Sequence, residues 1–556
     1  MDKTRLDRNW LILGPLAVIF IIIYSWFSFT TSLPFNFSAE RFIPIFSWPD
    51  AMANNFFIDY FIEKSNFVFP EILNPVVNNI IHPRSTNVIA DGSIVPTAFL
   101  GFAIIHGLIG KLTGAWAIKF LTAFAAGGAS LFFYGLLKKL FNNNIALISA
   151  ILLFTLASYW YYANLVMLPT IMFVFLAAAG FYFVIKSTDN NWLALLGGLF
   201  LGLASIVRLT ETAWIFLILA IMAAFFFKKI SFGKVFLFVI GFIVPLSLLL
   251  YYNNLTYGSP WLFGYFRMND GLGVMDRLPA EMSVDSDISA IANYLRLIFM
   301  PFGFSAKHVV LNFYRYFVLF LWPYFALFSV GGLVWFYQVL KKKVDRVQVA
   351  YAVCASVICS WLILYYGSWE FADKMVLRDN FIASSYVRYW LVMNIMILPF
   401  IALLFDKILQ IKSLHKALNV ILVVMLLSGL AIFSFGKAYL TQGEGLIDQK
   451  KIISEAYELQ KKVIGVVGAE SILISDRADK FFWPKIRVVD FNLNYLIFPE
   501  LKKIIPEHSV YYLSSRSEKD MSFINEKKLS SLGLEFTKKR VVSDEYNLYQ
   551  LISLKK

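Results

Sequence analysis

Charge is scarce in this chain, and cysteine is nearly absent. Only 15% of the 556 residues are charged, against about a quarter in an ordinary soluble domain, a deficit that points to lipid. The two cysteines, Cys354 and Cys359, lie five apart in one expected span and face different sides of it, so they indicate neither a disulfide nor a metal site. Tandem repeats and low-complexity tracts are also missing. So is the apolar–polar alternation of a membrane β-barrel, because runs such as Ile145–Leu156 and Val235–Leu250 are continuously apolar.

What fills the chain is hydrophobic: 59% of it, with a mean hydropathy of +0.66. About twenty apolar residues cross a ~30 Å hydrocarbon core as a helix, which satisfies its own backbone hydrogen bonds. The net charge of +14 fits short basic cytoplasmic loops and anionic headgroups better than nucleic acid.

The positive-inside rule gives the threading. A first span, Trp10–Phe29, follows Lys3, Arg5 and Arg8 and has no small-residue cleavage site after it, so it is expected to be retained. Lys138–Lys139, Lys186, Lys228–Lys229 with Lys234, Lys341–Lys343 with Arg346, and Lys407 with Lys412 mark inner ends. Spans are expected at 115–137, 145–162, 163–186, 192–207, 210–228, 234–252, 311–340, 347–367, 386–405 and 416–436. Segment 94–113 is apolar but keeps the parity only as a re-entrant or partly immersed helix. The fold class is therefore an all-α polytopic membrane domain of about eleven or twelve helices over 1–440, with outer loops 31–92 and 253–310, plus a small C-terminal α/β domain over 441–556. In that last part a charged amphipathic stretch, Asp448–Val463, precedes short β-rich runs at Ser471–Ile474, Arg487–Val489, Val510–Leu513 and Tyr546–Ile552.

Polar groups collect on the outer side of this threading: Asp50, Asn54, Asn55, Asp59, Glu71, Asn74, His82-Pro83-Arg84-Ser85, Asp91, Arg208, Glu211, Tyr257-Gly258-Ser259-Pro260, Tyr265, Arg267 and Arg388-Tyr389. Charges near helix ends are costly unless they pair or line a wet cavity, so the set suggests an outward-facing cavity. Plainer readings stand beside it. Asp50 sits where a helix Ala51–Ile62 would take an acidic N-cap. Arg208 and Glu211 form an i, i+3 ion pair, and Arg388 snorkels next to an aromatic belt of Tyr389 and Trp390. The Tyr159–Tyr162 run reads better as an interface anchor than as a sugar platform, and His82 is a lone histidine beside a proline.

The order and spacing of Asp50, His82-Pro83-Arg84-Ser85, Val95-Pro96, Tyr257-Gly258-Ser259-Pro260 and Arg388-Tyr389 resemble the C-type membrane glycosyltransferases, in the protein-mannosyltransferase and aminoarabinose-transferase branch. Two features depart from that pattern. Ala51 stands where an Asp-Glu pair is common, and the Trp-Trp-Asp signature of oligosaccharyltransferases is absent. The resemblance implies inverting transfer of a sugar from a polyprenyl-phosphate donor to a lipid, glycan or protein acceptor outside the cytoplasm, at a plasma membrane whose lipids it contacts. Asp50 would be the general base. Arg84, Arg208 and Arg388 would meet the phosphate, with His82, Asp59, Glu211, Tyr257 and Tyr389 as further substrate-binding residues. A divalent metal could assist, although no ligand cluster marks its place. A transporter or flippase of lipid-linked glycans and a non-catalytic relative are the competing expectations.

Overall fold

The computed structural model describes residues 8–31, 44–267, 303–369, 381–412, 415–468 and 470–554. Most of the expected loop 253–310 and the side chain of Arg267 lie outside the described residues. Contacts divide the chain into two compact units. The first holds the described parts of Met1–Thr30, Trp116–Leu249 and Leu278–Gln449, and the second those of Thr31–Ala115, Leu250–Arg277 and Lys450–Lys556.

The first unit is helical. Among the described residues of the whole chain, nine helices are long and apolar enough to cross a membrane: Trp10–Thr31, Ala117–Leu140, Pro169–Lys186, Leu209–Lys229, Phe232–Tyr257, Trp322–Leu340, Arg346–Gly367, Leu391–Leu409 and Lys416–Leu440. Asn143–Thr155 and Ala157–Asn164 make a tenth if counted as one span, bent by 54°. The remaining expected segments are the apolar helices Trp192–Val207 and Leu100–Thr113, which at 16 and 14 residues are about 24 and 21 Å long and fall short of the hydrocarbon core.

Besides 192–207, three expected spans are corrected. The stretch 145–162 is broken at Leu156, whose backbone is extended. The carbonyls freed there are taken by distant hydroxyls, Tyr24 donating to Phe154 O and Tyr324 to Thr155 O, which removes the cost of exposed backbone in lipid. The stretch 163–186 becomes helical only at Pro169. Residues 311–340 contain a π-helical turn, Tyr314–Leu319, before the helix Trp322–Leu340. The tyrosine run is not an interface anchor either. Tyr159, Tyr161 and Tyr162 are buried and donate to the carbonyls of Ala126, Glu444 and Ser384. Close helix approach rests on small residues: a Cβ at Gly198 would strike the Phe238 carbonyl, and one at Gly241 the Leu195 carbonyl.

The second unit is mixed α/β. Strands β1 (Thr86–Val88) and β2 (Ile94–Pro96) form an antiparallel hairpin, turned at Gly92 with φ 87°, where Asp91 accepts the Ser93 amide. The five others are β3 (Ile472–Ser475), β4 (Arg487–Asp490), β5 (Val510–Ser514), β6 (Leu534–Val541) and β7 (Asn547–Ser553). They form one sheet in the order β4-β3-β5-β7-β6. β3 is parallel to β4 and β5, with Ser475 beside Asp490 and Leu513, and β7 is antiparallel to β5 and β6. Ile472, Ile474, Val489, Phe498 and Tyr512 share one buried core with Val77 and Ile81 of the first loop. His82 bridges in parallel to Val489 and so extends the free edge of β4. The loop and the C-terminal segment thus fold around the same apolar residues.

Candidate functional site

In the second unit, charged side chains gather at the carboxyl ends of the parallel strands, the place where open α/β sheets present their loops. β3 runs into Asp476, Arg477, Asp479 and Lys480, and β4 ends on Asp490. Arg84 is inserted among them. Its amide donates to Asp479 Oδ2 at 2.8 Å, its Nε and Nη2 to Asp479 Oδ1 at 2.9 and 2.7 Å, and Nη2 also to the Arg477 carbonyl. Asp490 Oδ1 lies 3.9 Å from Arg84 Nε. Burial raises the carboxyl of Asp479, but the Arg84 cation outweighs it and holds the group below its ordinary range. Burial, then the Asp479 charge, pushes Asp490 up to about 6, and burial with repulsion from Arg84 pulls Lys480 down to about 8.

Asp50 belongs to this cluster. The helix Pro49–Lys64 starts at a proline preset for a first turn, and its cap is Trp48, which makes no side-chain capping bond. The expected N-cap role of Asp50 is therefore corrected. It is a first-turn residue, where the helix dipole favours a carboxylate. Ser85 Oγ donates to Asp50 Oδ1 at 2.7 Å, and against the opposing effect of burial Asp479 first, then Asp490 and Asp50, raise Arg84 above its ordinary range.

The other expected residues of this unit serve nearby. Asp59 accepts from Asn55 on the same helix; nine residues from Asp50, it lies about 13 Å along the axis on the opposite face. His82 Nδ1 lies 3.0 Å from the Pro83 carbonyl and 3.3 Å from Thr86 Oγ1. Tyr257 donates to the Pro96 carbonyl at 2.8 Å. Glu71 pairs with Arg487 at 3.1 Å, and the buried Asn74 staples its loop to Ile81 and Gly92.

In the first unit, Arg208, Glu211, Arg388 and Tyr389 come together. Arg208 caps the helix Trp192–Val207 with non-helical dihedrals, and its Nη2 meets Glu211 Oε1 at 2.7 Å with the two side chains 6% and 1% exposed. Tyr366 donates to the same oxygen at 3.0 Å, and Trp214 Nε1 donates to Oε2. The Tyr389 ring stacks on Tyr366 at 4.6 Å and 7°. Both guanidiniums lie over it, Arg208 at 4.9 Å and Arg388 at 4.7 Å from the ring centre. Arg388 Nη2 also donates to the Tyr389 hydroxyl at 2.9 Å. Trp214 lines an apolar cavity of about 120 Å³ with Phe133, Val174, Met222, Ile358 and Met396. Among the described residues, no group of three or more His, Cys, Asp or Glu side chains could hold a metal ion.

Neither a family model nor a curated protein matches the chain. Solved structures do. ArnT from Cupriavidus metallidurans in the apo state aligns over 97% of this chain and 97% of its own, with a TM-score of 0.52 at 9% identity. The fold is that of ArnT. The oligosaccharyltransferase of Archaeoglobus fulgidus in the apo form covers 90% of this chain and 69% of its own at 11% identity and TM-score 0.48. AglB of the same organism, in complex with an inhibitory peptide and a dolichol-phosphate, covers 89% and 69% at 11% identity and TM-score 0.45. The likeness to ArnT is one of fold. The C-type glycosyltransferase resemblance read from the motifs holds at the level of fold, which ArnT, an aminoarabinose transferase, shares.

Several residues of the two clusters were absent from the expected site. Asp479 and Lys480 had one signal, the dense charges of Ser475-Asp476-Arg477-Ala478-Asp479-Lys480 directly after a β-rich run, and Asp490 only its place at the end of the run Arg487–Val489. Tyr366 and Trp214 had none, being aromatics inside apolar spans.

Proposed function

We propose that this protein is a membrane glycosyltransferase that moves a sugar from a polyprenyl-phosphate donor to an acceptor hydroxyl on the extracytoplasmic side of a plasma membrane. The observation carrying this is a first-turn carboxylate, Asp50, held by Ser85 beside Arg84, in a chain that shares its fold with an aminoarabinose transferase along nearly its whole length. The acceptor oxygen attacks the anomeric carbon as its proton passes to Asp50. The bond from that carbon to the phosphate oxygen breaks, configuration inverts, and polyprenyl phosphate leaves with the bonding electrons. Within the first unit, the guanidiniums of Arg208 and Arg388 are preorganised by stacking on Tyr389 and match the oxygens of a phosphate. The apolar cavity beside Trp214 offers room of the size of about one small hydrocarbon, in keeping with a lipid-borne donor.

The test is transfer by purified full-length protein from labelled polyprenyl-phosphate sugars to membrane-derived acceptors, alongside Asp50→Asn. Loss of a general base lowers the rate by about 10²–10⁴-fold, with donor binding retained. Equal transfer by the variant overturns the role of Asp50. Movement of lipid-linked glycan across proteoliposomes without transfer points instead to a flippase.

A further inference from the structure

We propose that the short helix Asp479–Phe482 is the positioning element for Asp50, an inference that rests on the glycosyltransferase reading. Two adjacent side chains of this helix reach the two segments that hold Asp50, the residues just before its helix and the loop that carries Ser85. Lys480 Nζ donates to the carbonyl of Ser47, three residues before Asp50 and just ahead of the helix that carries it. Asp479 takes the amide and the guanidinium of Arg84, the residue next to the serine whose hydroxyl binds Asp50. Asp479 is fully buried, while Arg84 keeps 25% of its side-chain surface, so the fixed end of the clamp belongs to the C-terminal segment.

Three further observations support the assignment. Ser85 is held at φ 63° and Arg477 at φ 64°, left-handed conformations that a non-glycine residue keeps only where its surroundings over-determine it. The four bonds from Arg84 to Asp479 and the Arg477 carbonyl join those two positions directly. Trp483, at the end of the short helix, packs its ring 4.0 Å from Phe56 on the Asp50 helix, which adds an apolar footing to the polar clamp. Arg84 is then a strut for Ser85, with its amide, Nε and Nη2 committed to Asp479 and the Arg477 carbonyl.

A strut and a phosphate contact differ in what they change. A base displaced by about 1 Å loses about 100-fold in turnover, whereas a lost phosphate contact weakens donor binding. For Asp479→Asn, Arg84→Met and Ser85→Ala we expect kcat to fall by ten- to a hundredfold, with donor KM within about twofold of the wild type. The double variant Asp479→Asn/Arg84→Met should be no worse than either single one, because both remove the same link. Hydrogen exchange on full-length protein supplies a readout independent of catalysis: amides of 47–52 and 84–88 should exchange faster in Asp479→Asn, with those of the membrane helices unchanged. Should Asp479→Asn fail to fold, Lys480→Met cuts the other arm and is expected to loosen 47–52 alone. Unchanged kcat and unchanged exchange in these variants, with Asp50→Asn inactive, would overturn the clamp and leave the transferase standing. Faster exchange in a protein that transfers from no donor would keep the clamp and sink the transferase reading.

Discussion

The two charged clusters are assembled over very different distances along the chain. Arg208 and Glu211 are three residues apart, and their aromatic partners come from the ends of neighbouring spans. Arg84 and Asp479 are separated by 395 residues and meet because the first loop and the C-terminal sheet share one core. The first cluster is stacked and nearly closed to solvent, and its charges are paired, as charges near lipid are where they do not line a wet cavity. The second keeps partial exposure, and its ionisable groups are shifted in opposite directions. A local pair made rigid by burial suits fixed recognition of a phosphate. A long-range clamp suits the joining of two parts of the chain around one carboxylate.

The sharpest way to break this comparison is to remove one charge from the closed cluster. Glu211→Gln still accepts from Tyr366 but leaves Arg208 without its counter-charge. Losing one partner of a buried pair costs about 3–5 kcal/mol, so the unfolding midpoint of purified protein should fall by several degrees. A midpoint within a degree of the wild type would mean that the guanidinium is solvated or otherwise compensated, and that the cluster is not closed.

The same contrast governs what could be read from the sequence. The membrane helices were legible because hydropathy is local, and the i, i+3 spacing displayed the Arg208–Glu211 pair directly. The break at Leu156 was not, since no proline or glycine marks it and its carbonyls are satisfied by Tyr24 and Tyr324, far away in sequence. Four strands of the C-terminal sheet were visible as β-rich runs. β6 was missed: Lys538, Lys539 and Arg540 hide its pattern, and it forms as an edge strand paired to β7 with a register shift between Lys538 and Arg540. Asp50 stands out in the sequence by its place in a loop motif. Its supports in Asp479 and Lys480 required the fold, because no sequence rule links residues so far apart.

A milder change sharpens the assignment of the closed cluster. Tyr389→Phe keeps the stack on Tyr366 and the ring beneath both guanidiniums but removes the hydroxyl that accepts from Arg388. One hydrogen bond to a charged group contributes about 1.5–3 kcal/mol, so donor KM should rise about tenfold with kcat little changed. A fall in kcat at constant KM would transfer Tyr389 from phosphate binding to the chemical step.

The smallest expected effect probes the open cluster through pH. Burial, then the neighbouring Asp479 charge, raises the Asp490 carboxyl from 3.8 to about 6. A raised carboxyl means that the fold prefers the neutral form. Its contribution is complete below about pH 4 and is lost as pH climbs through about 6. Lys480 acts with the opposite sign: lowered from 10.5 to about 8 by burial and Arg84, it contributes fully above its unfolded value and loses that contribution as pH falls through about 8. Between pH 6 and 8 both groups are in their costly charged forms, a cost the Arg84–Asp479 pair must outweigh. Asp490→Asn fixes the neutral state and can still accept the Arg477 amide that Asp490 holds at 3.2 Å. Relative to the wild type, the variant should gain about 1–2 kcal/mol of stability between pH 4 and 7, read as diverging unfolding midpoints across that interval. Parallel curves would show that Asp490 is ionised throughout, and that the carboxylate beside Arg84 strengthens the clamp at every pH.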